Sequence, residues 1–163
     1  INRGANLGSD VIYSGTVAAA IEGSMKGIPS MALSFVGGPD YPFDALEEPV
    51  RQVLTRFTRE LPPSDTVYNV NFPHPSSYNG TPEIVATSLG ERFYSQEVVV
   101  REDPRGKSYF WVGGSESTHS DIPGSDCNAV SEGYVSITPI HLNLTDHDAI
   151  EKLNEWYGQE TPA

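Results

Sequence analysis

Residues 11–36 read VIYSGTVAAAIEGSMKGIPSMALSFV, and residues 67–73 read VYNVNFP. In the first run Val17, Ala20, Ile21 and Met25 recur at helical spacing, and Gly27 with Pro29 supplies a stop. Residues 30–36 are a short apolar run of the kind that makes a buried strand. Between the two quoted runs, Leu46, Val50, Val53, Leu54 and Phe57 again follow a helical period until Pro62 and Pro63 end it. Residues 67–72 alternate and read as a strand closed by Pro73. Helix, strand, helix and strand joined by short loops imply crossover helices packed on a parallel sheet. The expected class is therefore α/β, with a mostly parallel sheet. Two covered strands make a poor sheet. The chain also starts at Ile1 rather than Met. The natural protein is thus expected to begin upstream, and an open sheet edge predicts poor solubility in isolation.

The second half has a different texture. Residues 83–89 allow a strand. Residues 93–101 (FYSQEVVVR) and 107–112 (KSYFWV) flank Glu102-Asp103-Pro104-Arg105-Gly106, a β-hairpin pattern with a turn ending in Gly. Residues 113–124 are rich in Gly, Ser, Thr and Asp and read as a mobile loop. Residues 125–132 allow a short helix capped by Ser125 or Asp126. Residues 134–140 read as a strand that Pro139 closes, and Thr145 or Asp146 caps a last helix through Trp156. That helix carries Ile150, Leu153 and Trp156 on one face. There is no internal repeat. The expected organisation is a core over residues 1–90, a hairpin and loop over 91–124, and a final helix-strand-helix over 125–163.

Composition narrows the partners. Ten Lys and Arg stand against 22 Asp and Glu, a formal charge of -12 in 163 residues. No basic stripe is available to track a long nucleic acid. No apolar run reaches the roughly 18 residues of a membrane span. A small phosphate ester remains compatible, if a metal ion and backbone N–H groups supply the positive charge. The single Cys127 can form neither an internal disulfide nor a thiolate metal cluster.

Four constellations are chemically suggestive. The first is Asn2-Arg3-Gly4-Ala5-Asn6-Leu7-Gly8 with Ser14-Gly15-Thr16 at a helix start. Its glycines allow positive φ and close backbone approach, and its amides offer neutral oxygen to a hard cation. Gly15 and Thr16 present N–H groups at the helix N-terminus, where an anion is favoured. An Asn/Gly-rich turn with Ser14 as an ordinary N-cap has the same pattern. The second is His119, Asp121 and Asp126, which match no zinc spacing and fit a solvated loop. The third is a hydrolytic triad of Ser14, His74 or His141, and an Asp; no nucleophile-elbow pattern surrounds any Ser. The fourth is the aromatic set Phe93, Tyr94, Tyr109, Phe110 and Trp111, which fits a covered face or subunit contact better than base stacking.

Taken in order, these residues resemble a known family. Ile1-Asn2, Gly4, Asn6, Gly8, Asp10-Val11 and Tyr13-Ser14-Gly15-Thr16-Val17 look like the signature of the SurE survival-protein family. Glu22-Gly23, Gly27-Ile28-Pro29-Ser30, Asn69-Val70-Asn71-Phe72-Pro73, Asp103-Pro104-Arg105-Gly106 with Tyr109 to Gly113, and Ser125-Asp126 through Ile140 match it in turn. The resemblance implies a three-layer Rossmann-like fold with helices on both faces. It adds a protruding hairpin and a C-terminal helix used in homodimer or homotetramer contacts. It implies a cytoplasmic 5′/3′-nucleotidase, a metal-dependent phosphatase of nucleoside monophosphates, with one divalent ion per subunit, Mg²⁺ or Mn²⁺. Asn2 sits at the family's metal-binding Asn. Asn6, Ser14, Gly15 and Thr16 sit in its phosphate pocket, with Asn6 and Ser14 as the catalytic candidates. The family's Asp-Asp pair and its Asn-Arg-Ser-Gly turn, which complete the metal ligands and provide the usual catalytic Asp, are not in this chain. The 163 residues alone are therefore expected to be inactive, the alternative being a non-catalytic binding or oligomerisation fragment.

Overall fold

The strand Thr66–Phe72, β3, alternates because both its faces are covered by different material. Tyr68, Val70 and Phe72 point to one side, and Val67, Asn69 and Asn71 to the other. The computed structural model of the chain describes residues 1–38, 41–94, 98–112 and 117–158. In chain order its elements are β1 (Asn2–Arg3), α1 (Gly15–Met25), β2 (Met31–Phe35), α2 (Glu47–Arg59), β3, β4 (Ile84–Ala86), β5 (Arg92–Tyr94), β6 (Val98–Glu102), β7 (Ser108–Val112), β8 (Ser117–His119), α3 (Asp126–Ser131), β9 (Val135–His141) and α4 (His147–Tyr157).

The central sheet has the order β1-β2-β3-β9-β4. β1 with β2, β2 with β3, and β4 with β9 are parallel, whereas β9 runs antiparallel to β3. The expected α/β class with a mostly parallel sheet is what the chain forms. Phe35, Val70, Phe72 and Val135 pack with Val53 of α2 and with Leu46 on one face. Ala32 and Val67 pack with Val17 and Ala20 of α1 on the other. Helices therefore cover both faces. A third cluster joins Cys127 and Val130 of α3 to Leu7.

Several local expectations are corrected. α1 begins at Gly15 behind the Ser14 cap, as the residue types at 14–16 imply, but residues Gly8–Tyr13 ahead of it form a 3₁₀ turn rather than open loop. Likewise Phe43–Leu46 is a 3₁₀ turn ahead of α2. Asn2–Arg3 is a strand rather than part of the polar loop. Pro139 does not end its strand: it lies inside β9, opposite Tyr68. A proline can sit there because β4 reaches only as far as Ile137, so no neighbour asks for its missing N–H.

The expected hairpin forms between β6 and β7, with Glu102 paired to Ser108. Its turn is tied by Asp103, whose carboxylate accepts from the N–H groups of Arg105 and Lys107 at 2.9 Å each. The strand anticipated from residue 93 begins instead as β5, which pairs with β8 in a separate ribbon. The loop expected over 113–124 thus contains a strand; its residues 113–116 lie outside the described residues. α4 is capped by Asp146, which accepts from Ala149 N–H at 3.0 Å, and buries none of its residues. No helix among the described residues is long and apolar enough to cross a membrane.

Candidate functional site

β1 pairs with β2 at Ser34 and Phe35 only, so the edge of β2 before Ser34 faces an open groove. That groove, about 490 Å³, is lined by Asn2, Thr16, Ala20, Met31 and Ala32, among others. Asn2 and Thr16, singled out by the sequence, both line this groove along the edge of β2 that the two-residue β1 leaves unpaired, whereas Asn6, Ser14 and Gly15 do not. Asn2 is half-buried and its Nδ2 donates to Gly4 O at 2.9 Å. That bond turns its Oδ1 into the available donor atom for a cation.

Ser14 is the N-cap of α1: its Oγ accepts from Val17 N–H at 3.1 Å. The hydroxyl proton is left to donate elsewhere. Gly15 and Thr16 follow in the first turn, where a helix supplies no carbonyl for its N–H groups. Gly15 is exposed and Thr16 half-buried, so both can be approached. The first-turn N–H groups and the helix dipole favour an anion there.

Asn6 is placed differently. It is buried beneath the loop, and its Nδ2 donates to Ser34 Oγ at 2.7 Å. Its own peptide is held by the sheet. Asn71 Oδ1 accepts from Asn6 N–H at 2.9 Å, while Asn69 and Asn71 donate to Asn6 C=O at 2.7 and 3.0 Å. Ser34, Asn71 and Ser136 are register partners across β2, β3 and β9, with Asn2 beside Ser34. This polar row exists because loop backbone, rather than a helix, covers that end of the sheet, and buried peptide groups need partners.

Two more anchors were not foreseen. The Asp126 carboxylate, fully buried, accepts from Gly8 N–H and Gly90 N–H at 2.8 Å each. The reading of Asp126 as part of a solvated loop is thereby corrected. Gly8 has φ +53°, and a Cβ there would lie 2.5 Å from Gly90 O, so the two backbones touch only because residue 8 is glycine. Further on, Asp10 accepts from both Arg92 and the Tyr94 hydroxyl. Burial, then the bond to Asp10, pushes the Tyr94 phenol above its usual range. The loop is thus fixed at Asn6, Gly8 and Asp10 by three distant segments. The signals for these anchors were asparagines at inward positions of a buried strand and an Asp directly after a helix cap.

The positive side chains near the loop are committed. Arg3 donates to Gly38 O at 2.7 Å and Tyr41 O at 2.9 Å and lies over Phe43. Arg92 is held by Asp10. An anion at the start of α1 would therefore rely on backbone N–H groups and on a cation.

The other constellations are not assembled. His74 bonds Ser76, and His141 faces Asp65 at 3.2 Å, so neither serves Ser14. Cys127 is buried, and desolvation with help from Asp126 pushes its thiol up to about 12, which makes it inert. Among the described residues no three His, Cys, Asp or Glu could hold a metal ion together. Asn2 fits a hard divalent ion by donor type, but only as one ligand of several.

Comparison with known proteins bears on these residues. The family model described as "Survival protein SurE" matches residues 1–96. The 5′-nucleotidase SurE of Myxococcus xanthus is 45% identical over 161 residues, covering 96% of this chain. That of Geotalea uraniireducens is 45% identical over 158 residues, again covering 96%. The chain spans 59% and 63% of the lengths of these two relatives. The crystal structure of the SurE protein from Aquifex aeolicus superposes with a TM-score of 0.76 at 34% identity, over 96% of this chain and 63% of that one. By its signature residues, its sheet and these matches, the chain belongs to the SurE survival-protein family.

Proposed function

We propose that this chain is part of a metal-dependent phosphatase that hydrolyses nucleoside 5′- and 3′-monophosphates to nucleoside and phosphate. The observation that carries the proposal is the start of α1, where Ser14 caps the helix and Gly15 and Thr16 are accessible, following the loop that begins at Asn2. The names of the relatives, 5′-nucleotidase SurE, support the substrate class. In this reading Gly15 and Thr16 N–H groups and the Ser14 hydroxyl bind the phosphate and stabilise charge on its oxygens. Asn6 contributes from below the loop, and Asn2 is one ligand of a divalent ion, Mg²⁺ or Mn²⁺. Such an ion, when bound, acts as a Lewis acid on the phosphoryl group. Positioning and electrostatics are then the main sources of rate. With Asn2 the single assigned ligand, the 163 residues alone should turn over no nucleotide.

The test is a chimera in which this chain replaces the matched segment of the Myxococcus xanthus relative. Assayed with 5′-AMP and 3′-AMP and Mg²⁺ or Mn²⁺, it should be active and should lose activity to a chelator. Asn2→Ala and Ser14→Ala should each cut kcat/KM by about a hundredfold, as loss of a catalytic donor typically does. Full activity in both variants, or in the presence of chelator, refutes the assignment.

A second reading, assembly, is favoured by a separate observation. Val100, Phe110 and Trp111 of the hairpin are 59%, 66% and 64% exposed, and Trp156 of α4 is 76% exposed. Such apolar surface suits contact with further copies of the chain, as a homodimer or homotetramer. Sedimentation of the chain with and without Phe110→Ser and Trp111→Ser distinguishes these states from a monomer.

A further inference from the structure

We infer that Asn69 and Asn71 are positioning residues that hold the Asn6 peptide, and with it the loop between Asn2 and Ser14, in the conformation that receives a ligand. Both side chains are fully buried inside the sheet. Asn71 treats the Asn6 peptide as a neighbouring strand would, accepting from its N–H and donating to its C=O. Asn69 adds a second donor to the same carbonyl at 2.7 Å.

The Asn69 bond is redundant for satisfying that carbonyl, which Asn71 already reaches. It is also costly, because Asn69 Oδ1 is buried and has no hydrogen-bond partner among the described residues. A leucine of similar volume would avoid the orphaned oxygen. A buried amide with one bond made and one end unsatisfied is a poor stabiliser and a good orienting device. The carbonyl it grips lies two residues before Gly8, whose N–H is gripped by Asp126. Asn6 thus links the sheet to the loop at its centre.

The meaning of this clamp rests on the function proposed above, but its test does not. In the 163-residue chain, Asn69→Leu should leave the melting temperature unchanged or raised. Amide exchange at Asn6 and Gly8, followed by NMR, should become about tenfold faster, with the sheet amides unaffected. A fall in melting temperature with faster exchange throughout the sheet would mean a merely structural role and overturn the inference. Unchanged exchange in the loop would do the same.

Asn71→Asp provides an independent signature. A neutral carboxyl can both accept and donate at the Asn6 peptide, whereas an ionised one only accepts and repels the carbonyl. Protection of Asn6 in this variant should therefore fall as pH rises, after correction for intrinsic exchange. A flat profile refutes the clamp. AMP hydrolysis by the chimera described above separates the two claims. An inactive chimera counts against the proposed function and leaves the exchange result standing. In an active chimera, Asn69→Leu should raise KM for AMP about tenfold, and an unchanged KM overturns the positioning role.

Discussion

Replacing Asp126 by Asn probes the packing of the loop with a change of one atom. The carboxylate is fully buried and accepts from two backbone N–H groups, Gly8 and Gly90, at 2.8 Å each. Bonds to a charged acceptor contribute roughly 1.5–3 kcal/mol apiece. In Asp126→Asn one oxygen remains, so one bond survives in weaker neutral form. The new NH₂ group faces the other N–H, donor against donor, leaving a buried donor unpaired at a cost of about 1–3 kcal/mol. Relief from burying a negative charge offsets part of this loss. The net destabilisation is about 2–4 kcal/mol. For a chain of this size each kcal/mol lowers the melting temperature by about 2–4 °C, so a drop of roughly 6–12 °C is expected for the middle of that range. Thermal melts by circular dichroism with urea titrations at pH 7 measure it. The urea midpoint should fall without a change in slope. A variant melting within about 2 °C of the parent, equivalent to under 1 kcal/mol, would show that Asp126 does not hold Gly8 and Gly90 together.

Three other perturbations follow from the same geometry. Gly8→Ala places a Cβ against Gly90 O in a backbone with φ +53°, so unfolding should become easier by at least about 2 kcal/mol, measured in urea. Ser14→Ala removes the cap bond to Val17 N–H and should cost about 1 kcal/mol, while Ser14→Asn should restore most of it. Cys127 should resist iodoacetamide at pH 8 in the folded protein and react readily in denaturant, because burial pushes its thiol up to about 12. The sign follows from linkage. A raised folded value means the folded state keeps its proton, so this contribution to stability is whole below the unfolded value of roughly 8.5 and lost as pH rises towards 12. Comparing the parent with Cys127→Ala from pH 7 to pH 11 should show the parent losing stability faster. Parallel profiles would refute the burial argument.

Local patterns carried much of the architecture. The periodicity of Val17, Ala20 and Ile21, and of Val50, Val53 and Phe57, marks two crossover helices, because a helix that packs on a sheet must present one apolar stripe. The short runs at β2 and β3 then had to be parallel neighbours, and they are. The hairpin was legible because Asp103 and Gly106 are turn residues for local reasons. The capped start of α1 was legible in the same way, since Ser14 meets Val17 only three residues on. Where the pattern misled, distant partners decided. Pro139 reads as a terminator, yet it sits inside β9 because of where β4 stops, and nothing near Pro139 in the chain encodes that.

The motif from Asn2 to Thr16 announced its own importance through residue types: amides, glycines and a helix cap are groups whose chemistry is visible one at a time. How that motif is held was invisible. Asn71 lies 65 residues from Asn6, Asp126 lies 118 from Gly8, and Arg92 lies 82 from Asp10. A hydrogen bond depends on positions in space to within a few tenths of an ångström. Residue types along a chain specify which groups can bond, whereas only the packed sheet brings these particular donors and acceptors together.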